Sequence, residues 1–89
     1  MISQKVKVVN PSGLHLRPAG NLCNIAMKFN SLVTFEYEGG TANAKSVLSV
    51  LGACVKSGDE ITIVCEGNDA EEALNELVQA VESGLGEMA

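Results

Sequence analysis

The stretch Ser12-Gly13-Leu14-His15-Leu16-Arg17-Pro18-Ala19 holds the single histidine of an 89-residue chain, with an arginine two positions on and a proline directly after it. An imidazole is a nucleophile, and a guanidinium beside it can neutralise an anionic group that the imidazole captures. Pro18 has the fixed φ that suits the first turn of a helix, where its missing N–H costs nothing. A helical apolar pattern begins at Ala19. His15 is therefore expected at or just before a helix N-terminus, where unpaired N–H groups and the helix dipole favour an anion. Gly13 relaxes the backbone on the approach, Ser12 supplies a hydroxyl, and the N–H groups of Leu16 and Arg17 would face the anion. These residues describe a site able to carry a phosphoryl group on histidine.

Turnover needs more than this stretch offers. Hydrolytic sites combine a nucleophile, a base and an orienting group, or a pair of carboxylates. No acid lies near His15 in the sequence, and neither GxSxG nor HExxH occurs. A stoichiometric carrier without a cofactor is expected, rather than an enzyme. Cys23, Cys54 and Cys65 form no CxxC pair, so they read as reduced, small apolar residues and not as a disulfide framework or a metal site.

The bulk numbers set the scale. Residues 1–89 make one domain, burying roughly 60–65 % of the unfolded surface in a modest two-layer core. No apolar run approaches the ~20 residues of a membrane span, and no leader pattern opens the chain, so a cytoplasmic protein with no membrane insertion is expected. A net charge of −5 argues against direct nucleic-acid binding. All eleven acidic residues lie from Glu36 onward, which leaves the half containing His15 uniformly basic and attractive to an anion or an acidic partner.

The elements that must position the site follow from periodicity. Residues 2–9 alternate Lys5 and Lys7 with Val6 and Val8 as a half-buried strand, and Asn10-Pro11-Ser12-Gly13 is turn chemistry that ends it. A helix from about Leu16 to Lys28 puts Pro18, Ala19, Leu22, Ile25, Ala26 and Phe29 on one face, with Arg17, Asn21, Asn24 and Lys28 opposite. Leu16, Gly20 and Met27 fall on neither face and form an apolar flank beside His15. Val33, Phe35 and Tyr37 mark a second strand, Gly39-Gly40 a two-residue hairpin, and Thr41 to Ala44 a short third strand. Ser46 is placed as N-cap of a short helix from Val47 to about Leu51, closed by Gly52. Ile61, Ile63 and Cys65 mark the fourth strand. Asp69 with Glu72 reads as a capping-box variant opening a last helix, whose stripe is Leu74, Leu77, Val78 and Val81 and which Gly84 ends. The order β-α-β-β-α-β-α predicts an α+β open-faced sandwich.

Ser46 is a second candidate. A phosphate added at a helix start is accommodated rather than disruptive. Val47, Leu48 and Leu51 are more apolar side chains than two helical turns bury, so with Leu16, Gly20 and Met27 they suggest a docking face.

Gly13 to Ala19 (GLHLRPA), followed about thirty residues on by Ala44 to Gly52 (AKSVLSVLG), resembles the HPr family, the histidine-containing phosphocarriers of the bacterial phosphoenolpyruvate-dependent sugar phosphotransferase system. The resemblance covers essentially the whole chain. It implies a four-stranded antiparallel sheet in the order β1-β4-β2-β3. It also implies that His15 accepts a phosphoryl group on Nδ1 from enzyme I and donates it to enzyme IIA domains, with Arg17 stabilising the group. Ser46 falls where many Gram-positive members are phosphorylated by HPr kinase/phosphorylase, a form that serves as corepressor for a catabolite-control transcription regulator. The alternative within the resemblance is the nitrogen-related phosphocarrier; an alternative from another class is a non-catalytic regulatory adaptor that binds through Val47, Leu48 and Leu51. One related regulator lacks the histidine that is present here. Two positions depart from the family pattern: Leu16 is larger than usual, and Gly20 weakens its helix by up to ~1 kcal/mol relative to alanine.

Overall fold

The computed structural model describes residues 1–87. Its elements run β1 (Ile2–Lys7), α1 (Leu16–Ala26), β2 (Leu32–Tyr37), β3 (Gly40–Asn43), α2 (Val47–Gly52), β4 (Glu60–Glu66) and α3 (Ala70–Glu82). The strands form one antiparallel four-stranded sheet in the order β1-β4-β2-β3. Register puts the apolar residues on one face: Val6 pairs with Ile61, Val33 with Cys65, and Phe35 with both Ile63 and Ala42. All seven are buried, while Lys5, Lys7, Glu36 and Glu66 stay exposed. The period-2 pattern thus dictates which face the helices cover.

That cover comes from α1 and α3, through Ala19, Leu22 and Ala26 on one and Ala73, Leu77 and Val81 on the other, all buried. Phe35 and Leu22 are the largest fully buried side chains, each worth about 1.5–3 kcal/mol relative to exposure. Ile25 and Phe29, expected on the buried face of α1, are only partly buried at its edge. α2 packs against α1 and contributes a single buried residue, Val50. Among the described residues no helix is long and apolar enough to cross a membrane.

Several local expectations shift. β1 ends at Lys7, but Val8 continues the pairing irregularly: its N–H donates to the Asp59 carbonyl and its carbonyl accepts from Gly58 N–H. α1 ends at Ala26 because Lys28 N–H turns back to the Ile25 carbonyl, an i→i−3 bond that tightens the last turn. The hairpin turns on Glu38-Gly39, since Tyr37 pairs directly with Gly40.

The capping box at Asp69 does not form. Asp69 occupies the N-cap position of α3 without a side-chain cap bond. Its carboxylate instead accepts from Asn30 N–H at 2.8 Å, Ser31 N–H at 2.9 Å and the Ser31 hydroxyl. Those hydrogen bonds hold its pKa below the ordinary 3.8. Gly67, at φ +147°, passes so close that a Cβ there would lie 2.6 Å from Ser31 Oγ, so only glycine fits.

At its other end α3 closes as expected at Gly84. The Gly84 N–H donates to the Val81 carbonyl and the Leu85 N–H to the Ala80 carbonyl, the paired bonds of a Schellman motif, with Leu85 buried. The chain then doubles back along α1, where Asn21 Nδ2 donates to the Leu85 carbonyl at 2.7 Å. That places the last described residues beside the loop that carries His15.

Candidate functional site

Two close approaches build the His15 loop. Asn10 is fully buried, and its Nδ2 donates to the Gly13 carbonyl at 2.6 Å, while Gly13 N–H returns to the Asn10 carbonyl at 3.1 Å. Gly13 sits at φ +65°, with the Val55 carbonyl oxygen 2.5 Å from where a Cβ would stand, so a side chain is excluded there. Leu14 N–H then donates to that same carbonyl, and the buried Leu14 side chain anchors the approach to α1.

His15 is the N-cap of α1, extended at φ −80° and ψ −172°, and exposed. Its carbonyl accepts the first helical bond, from Ala19 N–H at 2.8 Å, but its side chain caps nothing. The imidazole is therefore free for other chemistry. Leu16 and Arg17 supply first-turn N–H groups without helical partners, and Pro18 occupies the third helical position, where no donor is needed. Arg17, in this first turn, is exposed.

His15, Ser12 and Leu51 line a common cleft of about 440 Å³, together with Leu14, Cys54, Val55 and Lys56. The cleft thus joins the His15 loop to α2. Leu16 in α1 and Met27 at its C-cap are 63 % and 62 % exposed and Gly20 is half-buried, so the apolar flank lies open. On α2, Leu48 is 83 % exposed while Val47 and Leu51 are half-buried. Ser46 is the N-cap of α2, its hydroxyl accepting from Ser49 N–H at 3.2 Å. Ser49 Oγ in turn accepts from Asn43 N–H, tying α2 to β3.

Two sequence expectations are corrected here. The surroundings of His15 are not uniformly basic, because Glu87 folds over them: Ser12 Oγ donates to its carboxylate at 2.7 Å, Ser12 N–H at 3.2 Å and Asn10 Nδ2 at 2.9 Å. Hydrogen bonds from Asn10 and Ser12, with a lesser contribution from the Arg17 charge, hold the Glu87 pKa below its ordinary 4.5. Lys28, just past the end of α1, is paired with Glu76 of α3. The second correction is Cys54. Cys23 and Cys65 are buried as expected, but Cys54 is exposed at φ +54° in the tight turn after α2 and faces the His15 cleft. Burial, and secondarily the Asp69 charge, push the Cys65 thiol up.

Asn10, Glu87 and Cys54 were thus not legible as site residues. Asn10 read only as turn chemistry, and nothing local marks Glu87 as a neighbour of a residue 75 positions away.

A family model described as the PTS HPr component phosphorylation site matches residues 2–83. The chain belongs to the HPr family. It is 38 % identical over 82 residues to the HPr-like protein Crh of Bacillus subtilis, covering 92 % of this chain and 96 % of that one. It is also 38 % identical over 92 residues to the multiphosphoryl transfer protein of Salmonella typhimurium, covering all of this chain and 24 % of that longer protein. The crystal structure of HPr-C-His from Thermoanaerobacter tengcongensis superposes with a TM-score of 0.94 at 35 % identity, over 100 % of both chains. Proteins of the HPr family are phosphoryl carriers rather than catalysts. The sheet order and the helix-covered single face described above are those of the HPr open-faced sandwich.

Proposed function

We propose that this protein accepts a phosphoryl group on His15 from enzyme I and passes it to enzyme IIA domains. The observation that carries the reading is the exposed His15 side chain at the N-cap of α1, free of any capping bond and next to the unpartnered N–H groups of the first turn. In the transfer, the lone pair of Nδ1 forms a new N–P bond as the bond from phosphorus to its donor atom on enzyme I breaks, and the released electron pair stays with that donor. The incoming oxygens meet the N–H groups of Leu16 and Arg17, donors fixed by the helix before the group arrives, and the Arg17 guanidinium. The exposed apolar residues Leu16, Met27 and Leu48, with Gly20, Val47 and Leu51, form the docking face for both partners. Incubation with enzyme I and labelled phosphoenolpyruvate tests the reading. Wild type gains one acid-labile phosphoryl group, and His15→Ala folds but gains none; acid-labile label on the variant would refute it.

The similarity to Crh, the Bacillus subtilis catabolite repression HPr, supports a second role in carbon catabolite control, for which we propose Ser46 as the site. A phosphate on Ser46 adds about −1.5 to −2 charges at the start of α2, where backbone N–H groups donate to its oxygens and the fold survives. The same charge lies next to Val47 and Leu48 and opposes an acidic partner approaching that face. Ser46→Asp is expected to raise the KM for enzyme I, with Ser46→Ala close to wild type. Equal KM values would leave Ser46 as a helix cap alone. HPr kinase/phosphorylase and a catabolite-control regulator are the partners this role implies, in the cytoplasm.

A further inference from the structure

The residues after α3 return to the His15 loop and place an anion on its donors. The Glu87 carboxylate takes the Ser12 hydroxyl with both oxygens at 2.7 Å, the Ser12 N–H at 3.2 Å and Asn10 Nδ2 at 2.9 Å. Ser12 and His15 line the same cleft, so the Ser12 hydroxyl that Glu87 holds borders the space open beside the imidazole. Arg17, the cation of that site, is close enough for its charge to act on Glu87. We propose that Glu87 is a positioning residue for phosphoryl transfer: a resident carboxylate that occupies Ser12 in the unmodified protein and yields it to the phosphoryl group on His15. The inference rests on the carrier reading above.

The reason is competition for a limited set of donors. A serine hydroxyl has one proton and serves one acceptor at a time. A phosphoryl group carries up to two negative charges, so it outcompetes a carboxylate for that donor and also repels it across the cleft. The two ends of the clip differ in how easily they release. Asn10 is buried and also bound to the Gly13 carbonyl, whereas Ser12 is exposed. Asn21 retains Leu85, which confines the opening to the last described residues. Holding an anion that must be displaced makes the phosphorylated state less favourable. Glu87 therefore raises the tendency of phosphorylated His15 to give its group away.

The test is the equilibrium ratio of phosphorylated to unmodified protein, measured with catalytic enzyme I at a fixed ratio of phosphoenolpyruvate to pyruvate. Glu87→Gln is expected to raise that ratio about 3- to 5-fold, the scale on which exposed charge pairs act. Glu71→Gln, the same charge change at the far end of α3, is expected to match wild type. In a Ser12→Ala background the effect of Glu87→Gln should shrink, because the contested donor is gone. An unchanged ratio in Glu87→Gln, or a lower ratio accompanied by a reduced Tm, would overturn the proposal and leave Glu87 as a structural clasp. If wild type itself acquires no phosphoryl group, the carrier reading fails and this inference with it.

Discussion

Two carboxylates, Asp69 and Glu87, do nearly the same local chemistry at different corners of this molecule. Each accepts a serine hydroxyl and backbone or amide N–H groups from a loop far away in sequence, and each has its pKa lowered for that reason. The surroundings differ. At the Asp69 corner the serine, Ser31, is 1 % exposed and pressed against Gly67, so its hydroxyl is closed to any other acceptor. At the Glu87 corner the serine, Ser12, is exposed, the neighbouring cleft is open, and His15 borders it. One set of hydrogen bonds locks a loop to a helix start; the other holds donors that a second anion can reach. Hydrogen-bond count alone does not distinguish a structural corner from a working one. Access does.

Substitutions can separate the two corners, and the largest effect on stability belongs to the locked one. Gly67→Ala would force a Cβ against Ser31 at a φ that alanine resists, at a cost of about 2–3 kcal/mol. Chemical denaturation should show that loss, while phosphoryl transfer per folded molecule stays at the wild-type rate. A normal midpoint would mean the corner is softer than its geometry implies. Arg17→Ala is the reciprocal change at the open corner. It should slow phosphoryl exchange by at least ~10-fold, equivalent to ~1.4 kcal/mol and one charge-assisted contact, with Tm unchanged because the exposed side chain supports no core. Unaltered exchange kinetics, or a fall in Tm, would erase the distinction.

Acid offers a smaller but sharper comparison. Both carboxylates have folded-state pKa values below their ordinary 3.8 and 4.5, so in that range the unfolded chain binds more protons than the folded one. Their contribution to stability is thus present above those ordinary values and is lost as pH falls through the lower folded ones. Melting curves between pH 5 and 2 should steepen for wild type relative to Asp69→Asn and to Glu87→Gln. Parallel pH slopes in all three proteins would refute the assignment. The smallest effect is expected on α1 itself. Nothing lies within 4 Å of a Cβ at Gly20, so Gly20→Ala should stabilise the fold by up to ~1 kcal/mol, read as a raised denaturation midpoint.

Much of this protein was determined locally and is visible in the chain. Alternation of Val33, Phe35, Ile61, Ile63 and Cys65 specifies the buried face of the sheet, because a side-chain period of two admits only one register with that face covered. Pro18 and the apolar spacing after it specify where α1 starts, and that start makes His15 an N-cap. The Ser46 cap and the Gly84 stop were legible for the same reason: each depends on bonds spanning a few residues. Tertiary structure decided what the polar side chains do once those elements pack. Asp69 abandons the capping box because folding delivers Asn30 and Ser31 to its carboxylate, three donors in place of the one or two a helix start offers. Glu87 reaches Ser12 only because α3 ends where Asn21 can hold Leu85, a juxtaposition of segments some 64 to 75 residues apart. Short-range periodicity carries no information about such pairs, since a hydrogen bond selects its partner by distance in space and not by separation along the chain.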